Sequence, residues 1–246
     1  MIIHQRVKEF EALGFGMFVH FGIYSQLGRG EWIRNNMSKE EYEPIYRTFN
    51  PKPTWARELA AAAKGAGCRY ITLTSRHHDG YSLYDTCGLS DFDSVHSCGR
   101  DLIREFVDAC REEDLKPFFY HTLLDWHEPR FENDFPAYLE YLRESVKLLC
   151  TNYGPIGGLW FDGTWSKPQG TDWEEDALYG TIRKYQPEAI IVNNTGMDSR
   201  GALGTMELDS GESRFVLDEN GVVSPMIVCT RNSSQHVMPD TGDAIH

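Results

Sequence analysis

The chain has 246 residues and a formal net charge of −13, with 41% hydrophobic and 25% charged residues. These proportions are ordinary for a soluble globular protein, and this length can bury a substantial core. The sequence contains no apolar stretch of about 18 residues, which excludes a transmembrane helix and predicts no membrane partner. The negative charge would repel phosphate backbones, so a nucleic-acid partner is disfavoured.

The first ten residues lack the basic start, the long apolar stretch and the small-residue cleavage site of a secretory signal peptide. We therefore expect a cytoplasmic protein. Six cysteines occur and none forms a C-x-x-C pair, which leaves a zinc or redox motif without support.

Short apolar runs alternate with helical segments along the chain. Five runs are predicted as buried strands, at residues 14–22, 68–75, 116–122, 156–163 and 189–193. Four segments between or after them are predicted as helices, at residues 54–64, 100–113, 135–151 and 173–185. This alternation predicts an α/β fold with parallel strands, either a doubly wound sheet or a (β/α)8 barrel. No G-x-G-x-x-G or P-loop follows the first run, which weakens the nucleotide-binding version.

Each predicted strand ends in polar residues. They include His20, the pair His77-His78, His121, Asp162 and the pair Asn193-Asn194. In parallel α/β folds, ligands bind at the carboxyl ends of the strands. A feature shared by five strands therefore predicts a site at this edge of the sheet.

Asp162 is the sharpest single candidate. It follows an apolar run and precedes Gly163, so its carboxylate is held by rigid backbone. That setting suits a nucleophile, and it equally suits a residue that caps the next turn.

The candidate histidines and tryptophans also have alternative interpretations. Adjacent residues on a strand point to opposite faces, so hydrogen bonding to a substrate is favoured over one shared metal ion for His77 and His78. His20 alone suits a core histidine better. Trp32, Trp126 and Trp165 offer flat apolar faces to a sugar, although loop packing explains any single one as well.

Five motifs in chain order resemble the α-L-fucosidases of glycoside hydrolase family 29, from about residue 8 to about residue 209. They are GMFVHFG at residues 16–22, Glu31-Trp32, HHDG at residues 77–80, Tyr120 with Asp125-Trp126, and WFDG at residues 160–163. The resemblance implies a (β/α)8-like barrel that hydrolyses α-L-fucosides with retention. The implied partner is a fucosylated glycan or a small fucoside, and no metal or organic cofactor is implied.

The resemblance also assigns residues. Asp162 occupies the position of the family's nucleophile in the W-F-D-G motif. The residues that the resemblance places against fucose are His20, Trp32, His77, His78, Tyr120 and Trp126. Retaining glycosidases need a second carboxyl group, about 5–5.5 Å from the first, as acid/base. Glu207 aligns with an acidic E-x-D-S segment of bacterial relatives, and Glu212 is the next option.

The end of the chain departs from the family pattern. A W-E-x-C-like segment and a sheet-rich C-terminal domain are missing, and the fifth predicted strand leaves only 53 residues for three further strand–helix units. We therefore expect residues 1–211 to form an incomplete barrel and residues 212–246 to form a divergent or irregular tail. The sequence does not predict an oligomeric state.

Three other functions stay open. The first is an inactive, truncated domain that at most binds fucose. The second is a metal-dependent barrel hydrolase that uses His20, His77, His78 and Asp162. The third is a partner-binding scaffold without a site, which leaves the polar strand ends unexplained.

Overall fold

The computed structural model describes residues 5–194 and the backbone of residues 208–209. In this part of the chain, six parallel strands form one sheet. The strands are β1 (Gly16–Val19), β2 (Tyr70–Arg76), β3 (Lys116–Thr122), β4 (Gly158–Asp162), β5 (Ile190–Asn194) and β6 (Leu208–Asp209). The first five fall on the five predicted runs.

The strand order distinguishes the two predicted architectures. Every strand pairs with the next strand along the chain, in the order β1 to β6. A doubly wound sheet reverses its order at a switch point, whereas neighbours in a (β/α)8 barrel follow one another in sequence. The described strands are therefore arranged as consecutive strands of a barrel.

Helices surround the sheet. They are α1 (Gln5–Leu13), α2 (Lys39–Tyr42), α3 (Trp55–Gly65), α4 (Ser94–Cys98), α5 (Leu102–Glu112), α6 (Arg130–Asn133), α7 (Phe135–Asn152) and α8 (Glu175–Tyr185). The four predicted helices correspond to α3, α5, α7 and α8. Helix α5 begins two residues later than predicted because Asp101 is its N-cap and accepts a hydrogen bond from the Arg104 amide. Among the described residues, no helix is long and apolar enough to cross a membrane.

The sheet is buried on both faces. Ile71, Leu73 and other outward side chains pack against the helices, while an inner layer includes Phe18, Phe118 and Trp160. Burial on both faces explains why the strands appear in the sequence as continuous apolar runs.

Helix α1 closes the end of the barrel where the strands begin. The Phe10 ring lies 5.4 Å from the Tyr70 ring and 5.5 Å from the Phe118 ring, near the starts of β2 and β3. The helix was not among the predicted elements, although Val7, Phe10 and Leu13 recur at the three-residue spacing of one helix face. The opposite end of the barrel, where the strands finish, is the end that carries the polar residues.

A β-bulge interrupts β2 just before it ends. Thr74 pairs with Tyr120 and Arg76 pairs with His121, so Ser75 is one residue in excess of its partner strand. Arg76 then points outward, where its Nη1 donates to the Tyr141 hydroxyl of α7 at 2.7 Å. The chain leaves the strand immediately afterwards.

Candidate active site

Asp162 is the last residue of β4 and is 5% exposed. The Tyr120 hydroxyl donates to its Oδ2 at 3.0 Å, while Trp165 Nε1 and Asn194 Nδ2 donate to Oδ1 at 3.4 and 3.3 Å. His78 Nε2 lies 3.5 Å from Oδ2. Donors on both oxygens favour an ionised carboxylate with a fixed orientation.

The glycine after Asp162 lets the loop after β4 approach the loop after β3. Gly163 has φ +113°, and a Cβ at this position would lie 2.8 Å from the Leu124 amide nitrogen. Gly163 is itself the N-cap of the short 3-10 helix Thr164–Ser166. Asp162 is therefore not the N-cap of the following turn, and its carboxylate faces the other strand ends.

His77 and His78 share the site because β2 ends at Arg76, before either of them. Their rings lie 4.2 Å apart. The His77 ring stacks against Tyr120 at 5.5 Å, and His78 Nδ1 lies 2.6 Å from the Thr122 hydroxyl oxygen. The objection that strand alternation separates the two histidines therefore does not apply here.

His20 and Glu31 complete a polar cluster with His77. The His20 ring lies 5.1 Å from the His77 ring, and one ligand atom from each of the three residues lies within 4.8 Å of the others. Such a cluster has the donors and acceptors to bind sugar hydroxyls or a cation. The predicted metal set grouped His20 and His77 with His78 and Asp162, whereas the structure groups them with Glu31.

Sequence reasoning missed Glu31 as a site residue. Glu31 is 2% exposed, although it is the first residue of the short 3-10 helix Glu31–Asn36. A buried carboxylate beside two histidines requires polar partners. Its place in the Glu31-Trp32 motif was the one signal in the sequence that marked it.

Three tryptophans line the same region. The rings of Trp32 and Trp126 lie 5.5 Å apart, and each lies close to the His78 ring, at 5.3 and 5.5 Å. Trp165 lies 5.6 Å from His78 and is 51% exposed. Trp126 is fixed by its backbone amide, which donates to the His78 carbonyl at 2.8 Å. These rings offer apolar surface beside Asp162.

A buried carboxylate anchors the turn after β2 that carries His77 and His78. Asp79 accepts hydrogen bonds from the Tyr42 hydroxyl at 2.6 Å and from the Tyr81 amide at 3.1 Å. Burial raises the pKa of Asp79 to about 6, although these two hydrogen bonds oppose the shift. The Tyr42 contact ties α2 to the residue that follows His78.

The two acid/base candidates, Glu207 and Glu212, lie outside the described residues, as does the predicted tail at residues 212–246. The described backbone of β6 pairs Leu208 with Val192 and Asp209 with Asn193.

Comparison with known proteins identifies the family. The family model described as Alpha-L-fucosidase matches residues 3–219. The chain belongs to the α-L-fucosidase family. The tissue α-L-fucosidase of Bos taurus is 29% identical over 214 residues, which cover 75% of this chain and 45% of that protein. The α-L-fucosidase of Dictyostelium discoideum is 28% identical over 190 residues, covering 63% of this chain and 41% of that one.

Solved α-L-fucosidases have the same fold. Isoenzyme 1 from Paenibacillus thiaminolyticus matches with a TM-score of 0.70 and 39% identity, over 76% of this chain and 50% of that chain. An α-L-fucosidase from Lactobacillus casei in complex with α-L-fucose product matches with a TM-score of 0.66 and 27% identity, over 77% and 69% of the two chains. The predicted family and barrel fold class are confirmed. The chain spans between about a third and about half the length of the curated relatives it matches.

Proposed function

We propose that the chain carries the catalytic site of a retaining α-L-fucosidase, with Asp162 as its nucleophile. The arrangement around Asp162 is the observation that carries this proposal. A buried carboxylate at a strand end receives donors on both oxygens and faces histidines and tryptophans. Membership of the family supports the substrate class.

The proposed reaction has two displacements at the anomeric carbon. Asp162 attacks this carbon and forms an ester bond, while the bond to the leaving-group oxygen breaks and an acid protonates that oxygen. Water, deprotonated by the same group, then attacks the anomeric carbon and releases Asp162. Each displacement inverts the configuration, so the product retains it.

The pocket residues divide by chemistry. His20, Glu31, His77 and His78 supply the hydrogen bonds to sugar hydroxyls. Trp32 and Trp126 supply flat apolar faces for the C–H surfaces of the ring, and Tyr120 orients Asp162. Hydrogen bonds that tighten as positive charge develops on the ring lower the barrier.

For the acid/base role we propose Glu207 or Glu212. In the pairing of neighbouring strands, Asn194 lies opposite Asp162, and Asp209 lies opposite Asn193. The direction of β6 therefore leads towards the end of the sheet at which Asp162 lies. Glu207 precedes β6 in the sequence and Glu212 follows it. Because active sites of parallel barrels lie beyond the strand ends, this direction favours Glu212.

The nucleophile is tested with a nitrophenyl α-L-fucoside. We expect Asp162→Gly to reduce turnover at least 1000-fold, on the order of 4 kcal/mol, and azide to restore activity with β-fucosyl azide as product. The exposed Asp91 supplies the control Asp91→Gly, which should keep wild-type turnover. An Asp162→Gly variant with wild-type turnover rejects the assignment. Fucose binding by calorimetry without turnover in the wild type indicates the inactive, binding-only domain.

The acid/base is tested with Glu212→Ala and Glu207→Ala. The variant that removes the acid/base should lose most activity on fucosides with poor leaving groups and little on dinitrophenyl fucoside. With azide it should yield α-fucosyl azide. Equal losses on both leaving groups would reject the residue.

A metal-dependent hydrolase is the second candidate, because His20, Glu31 and His77 meet within the spacing of metal ligands. Metal analysis of the purified chain, followed by dialysis against a chelator, separates the two candidates. A stoichiometric ion whose removal abolishes hydrolysis would favour the metal enzyme, and full activity after chelation would favour the fucosidase mechanism above.

A further inference from the structure

Thr122 lies between His78 and the loop that follows β3. It is the last residue of that strand and is fully buried. Its hydroxyl donates to the Leu124 carbonyl, and its Oγ1 lies 2.6 Å from His78 Nδ1. A carbonyl oxygen carries no proton and a threonine hydroxyl carries only one. Since that proton points to Leu124, Oγ1 can only accept a hydrogen bond from His78.

This contact determines where neutral His78 carries its proton. In a neutral imidazole one ring nitrogen donates and the other accepts. Nδ1 donates to Thr122, so Nε2 presents its lone pair to the site. Nε2 is buried, lies 3.5 Å from Asp162 Oδ2 and has no hydrogen-bond partner within residues 5–194. Two acceptors therefore face each other where the substrate would sit.

We propose that Thr122 is a positioning residue that fixes the tautomer of His78, so that Nε2 accepts a hydrogen bond from a hydroxyl group of the bound sugar. The inference rests on the proposed function, because it takes the pocket to hold a fucoside. The substrate group at this point must be a proton donor. A fluorine or a methoxy group in its place would lose the hydrogen bond.

A matched arrangement lies on the outer face of the sheet. The Ser75 hydroxyl donates to the Tyr120 carbonyl at 2.8 Å, and its Oγ lies 2.9 Å from His121 Nδ1. Burial, with Arg76 nearby, holds the pKa of His121 well below its usual range, so this histidine is neutral. Ser75→Ala therefore removes the same kind of hydroxyl contact from a histidine outside the pocket.

The experiment uses the full chain with ¹⁵N-labelled histidine. Ring nitrogen shifts report which nitrogen is protonated, and His78→Gln identifies the His78 signals. We expect wild type and Thr122→Ser to carry the proton on Nδ1, and Thr122→Val to move it towards Nε2. Thr122→Ala serves if the valine variant does not fold.

Kinetics with a nitrophenyl α-L-fucoside complete the test. We expect kcat/KM to fall about 10- to 100-fold in Thr122→Val, the loss typical of one or two buried hydrogen bonds, and to stay within about 3-fold in Thr122→Ser and Ser75→Ala. A purely structural role would lower the melting temperature without moving the tautomer.

Two outcomes overturn the proposal. One is a wild-type His78 whose Nε2 is protonated at neutral pH. The other is a Thr122→Val variant that keeps the wild-type tautomer or the wild-type kcat/KM. A wild type that hydrolyses no fucoside rejects the proposed function instead, and the ring shifts, which are measured without substrate, still decide the role of Thr122.

Discussion

Tyr120 combines a hydrogen bond to Asp162 with a stacking position. Its ring lies 5.3 Å from Trp160 and 5.5 Å from His77, with small interplanar angles. Tyr120→Phe keeps the ring and removes the donor to Oδ2, so we expect kcat/KM to fall about 10-fold, or about 1.4 kcal/mol, with little change in melting temperature. Steady-state kinetics and thermal denaturation check this. Wild-type kcat/KM would mean that the hydroxyl does not support the nucleophile.

Asp79 predicts a pH dependence of stability. Its pKa is about 6 in the folded chain, above the usual aspartate value, so between about pH 4 and pH 6 the folded state holds a proton that the unfolded state has released. The stabilisation from this proton is present at low pH and is lost as the pH rises through 6. Relative to Asp79→Asn, the wild type should therefore become less stable from pH 4 to pH 7.

Urea unfolding of the wild type and of Asp79→Asn between pH 4 and pH 7 measures the difference between their free energies of unfolding. The contributions of the other titrating groups cancel in this difference. Asp176→Asn, at an exposed aspartate of α8, should give a curve parallel to that of the wild type. A constant difference between wild type and Asp79→Asn would contradict the raised pKa.

At the scale of elements, the loops after β2 and β3 depend on one glycine. Gly80 has φ +82°, and a Cβ there would lie 2.5 Å from Asp125 Oδ1 and 2.6 Å from His127 Cβ. Gly88 has a similar φ of +87° with nothing within 4 Å of an added Cβ. Gly88→Ala should therefore cost about 1 kcal/mol from backbone strain alone.

Gly80→Ala should cost about 1–3 kcal/mol more, because the loops must also separate. Chemical denaturation of the two variants measures both losses, and kcat/KM should fall only for Gly80→Ala. Equal losses in the two variants would show that the close approach to Asp125 has no energetic consequence.

The strands and the larger helices were predictable because their signal is local. Burial on both faces gives continuous apolar runs, and α5 shows a regular apolar face. The bulge at Ser75 was not predictable, since it arises from pairing between β2 and β3, which are distant in sequence. The shared orientation of His77 and His78, and the burial of Glu31, likewise depend on contacts between residues that are distant in sequence.

At the scale of the whole molecule, the net charge of −13 acts on charged substrates. It should repel a sulfated fucoside and have no effect on a neutral one. We expect KM for a sulfated aryl fucoside to fall as salt is raised from 20 to about 300 mM, because the Debye length shrinks below 10 Å. The neutral aryl fucoside is the control. Identical salt dependence for both substrates would show that the negative charges of the protein lie too far from the pocket to repel the sulfated substrate.

The location of the site was predictable from the architecture of the whole molecule, because the carboxyl ends of all the parallel strands of a barrel lie at one end of it. Asp162, His20 and the histidine pair lie there, and their roles stay predictions. The contacts that orient them, such as Thr122 with His78, depend on atomic distances that no sequence pattern encodes.

The single extra residue in β2 has a consequence for recognising distant relatives. The bulge gives two residues of β2 to one residue of β3, so Arg76 pairs with His121 as it would in a strand without Ser75. A relative that lacks an equivalent of Ser75 would therefore keep its histidine pair on the same face and beside the same residues of β3. Alignments of distant relatives should allow a one-residue gap between the positions of Thr74 and Arg76, ahead of the HHDG letters.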